Sequence, residues 1–129
     1  MTIQQAKQEL TDYRQDAVEI RNRKDEIYAL ESRLYSGCGG NMENGVIALI
    51  TMKEYYKNRV NELMEKRLQI EEKISSVPQP YRNVLYLYYI RNLSLIQISA
   101  TLHYGYTYTS KLHTNALELY ACTYGQLSA

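Results

Sequence analysis

The stretch SLIQISATLHYG, residues 94–105, contains the start of one helix and the turn into the next. Ser94 and Gln97 have the spacing of a capping box, in which each side chain satisfies a free backbone N–H at a helix N-terminus. The helix predicted from this signal runs to about Leu102. Its inner face is predicted to consist of Leu95, Ile98, Ser99 and Leu102.

Helical patterns lie on both sides of this stretch. Before it, residues 81–90 form an apolar stripe that breaks at Asn92-Leu93, which indicates a short, largely buried helix. After it, a helix is predicted from about Tyr106 to Tyr124, with Gly125 as its stop signal. Three helices with a short turn between the last two make a helix-turn-helix unit. The inward positions of the last helix are predicted to be Thr109, Leu112, Ala116, Leu119 and Tyr120.

The N-terminal part of the chain has two apolar stripes of heptad spacing, which predict a long antiparallel helical hairpin packed as a coiled coil. The loop at residues 37–45 is rich enough in Gly and Asn to reverse the chain. The first stripe comprises Ile3, Ala6, Leu10, Tyr13, Ala17, Ile20 and Ile27. The second comprises Val46, Leu49, Tyr56, Val60, Leu63, Ile70, Ile74 and Val77.

The two parts meet at a linker, residues 75–79, where the prolines disfavour helix. We therefore expect an all-α fold with a hairpin at residues 1–76 and a three-helix domain at residues 77–129. Apolar residues off the seam need cover from the C-terminal segment or a second chain: Tyr28, Leu30, Leu34, Ile47, Ile50, Met64 and Leu68. A homo-dimer or higher homo-oligomer is predicted, through Leu10, Ile20, Ile27, Tyr56, Leu63 and Ile70.

Composition excludes several classes of protein. The 129 residues carry 15 basic and 14 acidic side chains, a net charge of +1, so there is no polybasic tail. No apolar run approaches the roughly 20 residues of a membrane span, and the N-terminus has no signal-peptide core, which predicts a cytoplasmic protein. All 14 aromatic residues are tyrosine, so tyrosine must fill core positions while each hydroxyl finds water or a partner.

No motif indicates catalysis, a metal or a cofactor. Cys38 and Cys122 lack the paired spacing of a zinc site and are treated as free thiols. His103 and His113 are ten residues apart with no other ligand at suitable spacing, and His113 is expected to pack or to contact phosphate. Since no phosphate-binding loop, nucleophile elbow or carboxylate pair is present either, the chain is not expected to be an enzyme.

The C-terminal segment has a characteristic series of apolar, aromatic and basic positions. They are Arg82, Val84-Leu85, Leu87-Tyr88-Tyr89-Ile90, Ser94, Ile98-Ser99, Leu102, Tyr104-Gly105, Lys111-Leu112-His113 and Ala116-Leu117. This series resembles a known family of transcription proteins, the sigma-70 region 4 helix-turn-helix. It is most similar to the small phage-encoded, sigma-like regulators, including activators of the ArpU and RinA type. The helical N-terminal half also fits the general layout of that family.

This resemblance implies a sequence-specific, DNA-binding regulator, an activator of phage or prophage genes that acts with the host RNA polymerase. In a helix-turn-helix, the first turns of the second helix meet base edges in the major groove of double-stranded DNA. The candidate contacts are Tyr106, Thr107, Ser110, Lys111 and Thr114, flanked by Arg82, Arg91 and His103. Because only Lys111 is basic on that helix, the alternative is a protein-interaction or structural module whose degenerate helix-turn-helix binds no DNA.

Overall fold

The computed structural model describes residues 1–36 and 42–128, and every regular element in these two ranges is helical. The predicted all-α fold is confirmed. Of the loop predicted at residues 37–45, residues 37–41, which include Cys38, lie outside the described residues. Residues 42–45 were predicted to be loop and are instead helical. None of the described helices is long and apolar enough to cross a membrane. The helices are α1 (Ile3–Tyr35), α2 (Met42–Ser75), α3 (Tyr81–Leu85), α4 (Leu95–Leu102) and α5 (Tyr106–Ser128), and a π-helical turn, Tyr86–Ile90, follows α3 directly.

The chain forms two compact units. The first unit combines residues 1–15 with the chain from residue 67 onward, and the second comprises residues 16–66. The start of α1 and the end of α2 therefore pack with the C-terminal helices, although composition places a boundary near residue 76. The division into an oligomerising hairpin and a DNA-binding domain concerns function, and it stays a prediction.

Side-chain pairs show that α1 and α2 run antiparallel. In the first unit, Lys73 Nζ lies 2.7 Å from Glu9 Oε1. In the second unit, the ion pairs link residues of increasing number on α1 to residues of decreasing number on α2. These pairs are Asp16 with Lys66, Glu19 with Arg59 and Glu31 with Lys53, each at 3.1 Å. Most of these groups are partly exposed, so water screens the attraction within each pair and the apolar seam supplies most of the stability.

The main core cluster of the first unit draws on every described helix except α4, whose Ile98 is also fully buried. Buried residues recur on α1 and α2 at steps of three, four and seven, as the heptad pattern predicted. On α5 the predicted inward residues Thr109, Leu112, Ala116 and Tyr120 are also buried. The core cluster consists of Ala6, Leu10, Tyr13, Ile70, Ile74, Val77, Leu85, Tyr89, Ala116, Leu117, Tyr120 and Ala121.

Each fully buried tyrosine of this core has a partner for its hydroxyl, as the composition required. Tyr13 donates to Glu71 Oε1 at 2.7 Å, and Tyr120 donates to Glu9 Oε1 at 3.1 Å. Burial, together with the hydrogen bond to Glu71, raises the pKa of Tyr13 to about 12. The phenol of Tyr13 therefore stays protonated at neutral pH and fills core volume without burying a charge.

The second unit has a smaller core, formed by Ile20, Val60 and Leu63 with Ile27 packed against them. Leu30 was predicted to lie off the seam, and this was wrong: it is buried, because the stripe continues from Ile27 by a three-residue step. Val46 was predicted to lie on the seam and is instead 40% exposed. It lies in the second turn of α2, close to the start of that helix.

The C-terminal helices follow the predicted order with two differences. The helix expected over residues 81–90 changes to π-helical geometry at Tyr86, and the chain leaves it through Asn92, whose φ is 59°. Asn tolerates this left-handed conformation better than most residues. The expected stop at Gly125 was wrong, since α5 continues to Ser128. A glycine inside a helix costs about 1 kcal/mol relative to alanine but does not forbid continuation.

Candidate nucleic-acid interface

Helices α4 and α5 are joined by the tight turn that the sequence predicted. The capping box is present: Ser94 Oγ accepts from the Gln97 backbone N–H at 3.2 Å, and Gln97 Oε1 accepts from that of Ser94 at 2.9 Å. At the other end, His103 adopts a left-handed conformation with φ 59°. The Tyr104 N–H donates to the Ser99 carbonyl at 2.9 Å, which closes the last turn of α4. The start of α5 is therefore held by local hydrogen bonds.

The first turns of α5 separate clearly into an inner and an outer face. Thr109 is fully buried, and its hydroxyl donates to the Gly105 carbonyl at 3.0 Å, so a polar residue is accommodated in the core. Leu112 is buried as well. Four of the five recognition candidates are exposed and Ser110 is half-buried. The exposed four are Tyr106, Thr107, Lys111 and Thr114.

Two further tyrosines border this outer face. Tyr104 in the turn and Tyr108 on α5 form an edge-to-face pair with ring centres 5.1 Å apart. Tyr108 is 51% exposed and Tyr106 is 54% exposed. Tyr108 was missing from the predicted contacts, although an aromatic residue two positions after Tyr106 was a visible signal. The pair stiffens the turn and adds aromatic surface beside Lys111.

The flanking candidates differ in their availability. Arg91 and His103 are exposed, whereas Arg82 is half-buried and its Nε donates to the Val77 carbonyl at 2.9 Å. One edge of the Arg82 guanidinium is therefore used to hold the start of α3 against the end of α2. Arg82 also borders a groove of about 490 Å³ lined by Glu71, Ile74, Ser75, Arg82, Asn83, Tyr86 and Ile90.

A cluster of aromatic and basic groups supports α5 from inside the first unit. Tyr89 and His113 Nε2 are hydrogen-bonded at 3.0 Å, and the ring of Tyr88 lies 4.6 Å from that of His113. Burial and the nearby charges of Lys7 and Arg14 lower the pKa of His113 to about 4. His113 is therefore neutral at pH 7 and packs between the tyrosines, which leaves it without the charge that a phosphate contact would use.

Arg14 connects this cluster to the first helix, a role that the sequence did not reveal. Its Nε donates to Asn92 Oδ1 and one of its terminal nitrogens donates to the Tyr88 carbonyl, both at 2.9 Å. Its guanidinium carbon also lies 4.7 Å from the centre of the Tyr88 ring. The partners are more than 70 positions away, so no local pattern in the sequence indicates these contacts.

The residues predicted to mediate self-association are largely covered by the chain itself. Leu10 and Ile70 are in the core of the first unit, and Ile20 and Leu63 are in the core of the second. Ile27 and Tyr56 are half-buried. Their role in an oligomer stays a prediction.

Within the two described ranges, no group of three His, Cys, Asp or Glu side chains is placed to hold a metal ion. Cys122 is exposed and unpaired by any disulfide among the described residues. The surface that unites several sequence-predicted residues is thus the outer face of α5.

Comparison with known proteins shows similarity to sigma factors of bacterial RNA polymerase. The chain is 30% identical to RNA polymerase sigma factor FliA of Escherichia coli K12 over 122 residues, which is 92% of this chain and 47% of that protein. The same protein of Salmonella typhimurium LT2 is 30% identical over 121 residues. No family model and no solved structure matches the chain. The chain thus spans about half the length of the curated relatives it matches. The similarity supports a relationship to sigma factors. Assignment to the ArpU and RinA type stays a prediction.

Proposed function

We propose that this chain is a sequence-specific DNA-binding regulator of transcription, with α5 lying in the major groove. The observation that carries the proposal is the exposed outer face of α5, which follows a capped α4 and a three-residue turn. A rigid start of the second helix is what a helix-turn-helix needs to present side chains to base edges. The similarity to RNA polymerase sigma factor FliA also supports a role in transcription.

The regulator works with bacterial RNA polymerase in the cytoplasm, as an activator of phage or prophage genes. The support for this finer statement is the resemblance of residues 82–117 to phage-encoded, sigma-like activators. Contact with polymerase would also compensate for the small number of basic side chains on the proposed DNA-binding face. The outer face of the first turns of α5 offers one cation, Lys111, so few phosphates are neutralised by one protomer and affinity must come from an additional partner.

Self-association is a second source of affinity, because two protomers double the number of phosphate contacts. The second unit leaves large apolar side chains exposed, among them Tyr28, Ile47 and Ile50, although several buried seam residues serve the chain itself. We propose a homo-dimer or higher homo-oligomer that uses this part of the chain. Sedimentation of the whole chain tests it, and a 15 kDa monomer at tens of micromolar would contradict it.

A protein-interaction module is the competing function. The observation in its favour is the same outer face, where exposed tyrosines outnumber cations. Tyrosine is enriched in protein interfaces because its ring is apolar and its hydroxyl is polar. In this case the helix-turn-helix would not bind DNA, and the similarity to sigma factors would reflect a shared fold alone.

The two functions are separated by DNA binding of the whole chain, measured by fluorescence anisotropy on the DNA upstream of its own gene, with and without RNA polymerase. We expect binding that weakens as salt increases and strengthens with polymerase. Lys111→Glu should abolish it. Lys57→Glu is the matched control, since Lys57 is an exposed lysine on α2 in the other unit. No binding by the original chain would favour the protein-interaction module, whereas equal binding by both variants would refute the outer face of α5 as the DNA contact.

A further inference from the structure

The outer face of the first turns of α5 lacks the side chains that read purines best. Arginine, asparagine and glutamine make the bidentate hydrogen bonds that identify guanine and adenine in the major groove. None of these occurs between Tyr106 and Thr114. Lys111 is the single cation there, and it can reach a guanine acceptor pair or a phosphate. Discrimination between bases must therefore rest largely on the methyl groups and rings of this face.

Two threonines stand on either side of Lys111 in one stripe. Thr107, Lys111 and Thr114 are separated by four and three residues, so they share one face of the helix, and all three are exposed. The stripe is about 10 Å long at 1.5 Å per residue. This length corresponds to about three base pairs of double-stranded DNA.

The hydroxyl groups of these threonines have different surroundings. Thr114 Oγ1 donates to the Ser110 carbonyl at 3.3 Å, so its proton is used within the helix. What Thr114 offers outward is its methyl group and the lone pairs of its oxygen. Thr107 is free of such a bond in the part of the chain that the structure describes, so it offers a methyl and a hydroxyl donor. Both side chains present a methyl group, and the thymine methyl is the apolar feature of the major groove.

We propose that α5 reads a thymine-rich half-site, in which Thr107 and Thr114 each contact the methyl of a thymine and Lys111 binds between them. This specificity rests on the DNA-binding function proposed above. The two thymines lie within about three base pairs, on the same or opposite strands. Thymine methyls are the primary determinants, and the guanine or phosphate contact of Lys111 fixes the register.

The test begins with selection of 20-base-pair duplexes from a random pool by the whole chain. The best duplex is then resynthesised with uracil replacing thymine at one position at a time, which removes a single methyl. We expect two positions in each bound half-site, at most about three base pairs apart, at which uracil weakens binding about fourfold. Uracil elsewhere should change the affinity less than twofold.

Protein variants assign the two positions. Thr107→Ser removes a protein methyl and should abolish the effect of uracil at one position, and Thr114→Ser should abolish it at the other. Thr107→Val keeps the methyl and should keep the sensitivity to uracil. Thr101→Ser is the matched control, since it is an exposed threonine on α4 whose hydroxyl donates to the Gln97 carbonyl, and it should leave both effects in place.

The outcomes separate this proposal from the one on which it rests. If no duplex is enriched, DNA binding itself is refuted and the specificity with it. If duplexes are enriched but uracil has no effect, or its effects survive both serine substitutions, the thymine contact is wrong while DNA binding stands. Two uracil-sensitive positions, each silenced by a different threonine substitution, would support the proposal.

Discussion

Arg14→Ala should destabilise the first unit by about 2 kcal/mol, although Arg14 lies on a helix whose sequence pattern concerns only the hairpin. The side chain makes hydrogen bonds to Asn92 and to the Tyr88 carbonyl, each worth about 1 kcal/mol net. Its position over the Tyr88 ring adds about 0.5–1 kcal/mol. Partial exposure reduces the sum, because water replaces part of what is lost.

Native-state hydrogen exchange is the suitable assay, since it measures opening free energies segment by segment and so separates the two units. Amides of α4 and of the start of α5 should lose protection in Arg14→Ala. The matched control is Arg21→Ala, an exposed arginine on the same helix in the second unit, which should change protection by less than about 0.5 kcal/mol.

A double-mutant cycle isolates the contact with Asn92. Asn92→Gly removes the side-chain acceptor and keeps a residue that adopts the left-handed conformation readily. We expect Arg14→Ala to cost about 1 kcal/mol less in the Asn92→Gly background than in the original chain. Additive effects of the two substitutions, or an Arg14→Ala variant as stable as the control, would refute the reasoning that α1 supports the helix-turn-helix through this residue.

Three further results are expected. The pKa of His113 in the folded chain lies below its unfolded value of about 6.5, so between these two pKa values the unfolded chain binds more protons than the folded chain. The free energy of unfolding should therefore decrease as pH falls from about 6.5 towards 4. Urea titrations at several pH values should show a decrease of about 1–2 kcal/mol, and the His113→Gln variant should not show it. Leu63→Asp should unfold the second unit, because it buries a charge in a core of few residues, whereas Met64→Asp, one exposed position along, should be tolerated in the circular dichroism spectrum. Residues 77–129 made alone should fail to fold, since Leu10, Tyr13, Ile70 and Ile74 belong to the same core, and a cooperative melting transition from that fragment would contradict this.

Local signals in the sequence predicted much of this structure, because they act within a few residues. The capping box at Ser94 and Gln97 and the turn before Gly105 depend on neighbouring backbone groups, and both formed as predicted. The heptad stripes likewise predicted most of the buried residues of α1 and α2. Helix ends were less predictable: α5 passes through Gly125, because the intrinsic cost of one glycine is small beside the rest of a long helix.

The contacts of Arg14 and the tyrosines that support α5 from inside the first unit could not be predicted, because they join positions that are far apart in the sequence. The prolines near residue 77 suggested a boundary between independent parts. Which segments pack together is instead determined by the burial of apolar side chains. The apolar stripe of α1 contributes Leu10 and Tyr13 to the core that also contains Tyr89 and Tyr120. Similarly, Arg14 looks like any solvated helix charge until the turn at Asn92 is placed against it.

The tyrosine-only aromatic content connects this packing with the proposed function. Inside the first unit, each fully buried tyrosine ring fills core volume while its hydroxyl is paired with a carboxylate or with His113. These polar pairs have directional geometry, so they fix the orientation of α1 and α5 within the unit more narrowly than apolar contacts alone. On the outer face of α5, the same residue type is left exposed beside Lys111. A helix held in one orientation from inside can place two threonine methyls against particular base pairs, and loss of the inner pairs should therefore relax base discrimination before it abolishes attraction to the phosphate backbone.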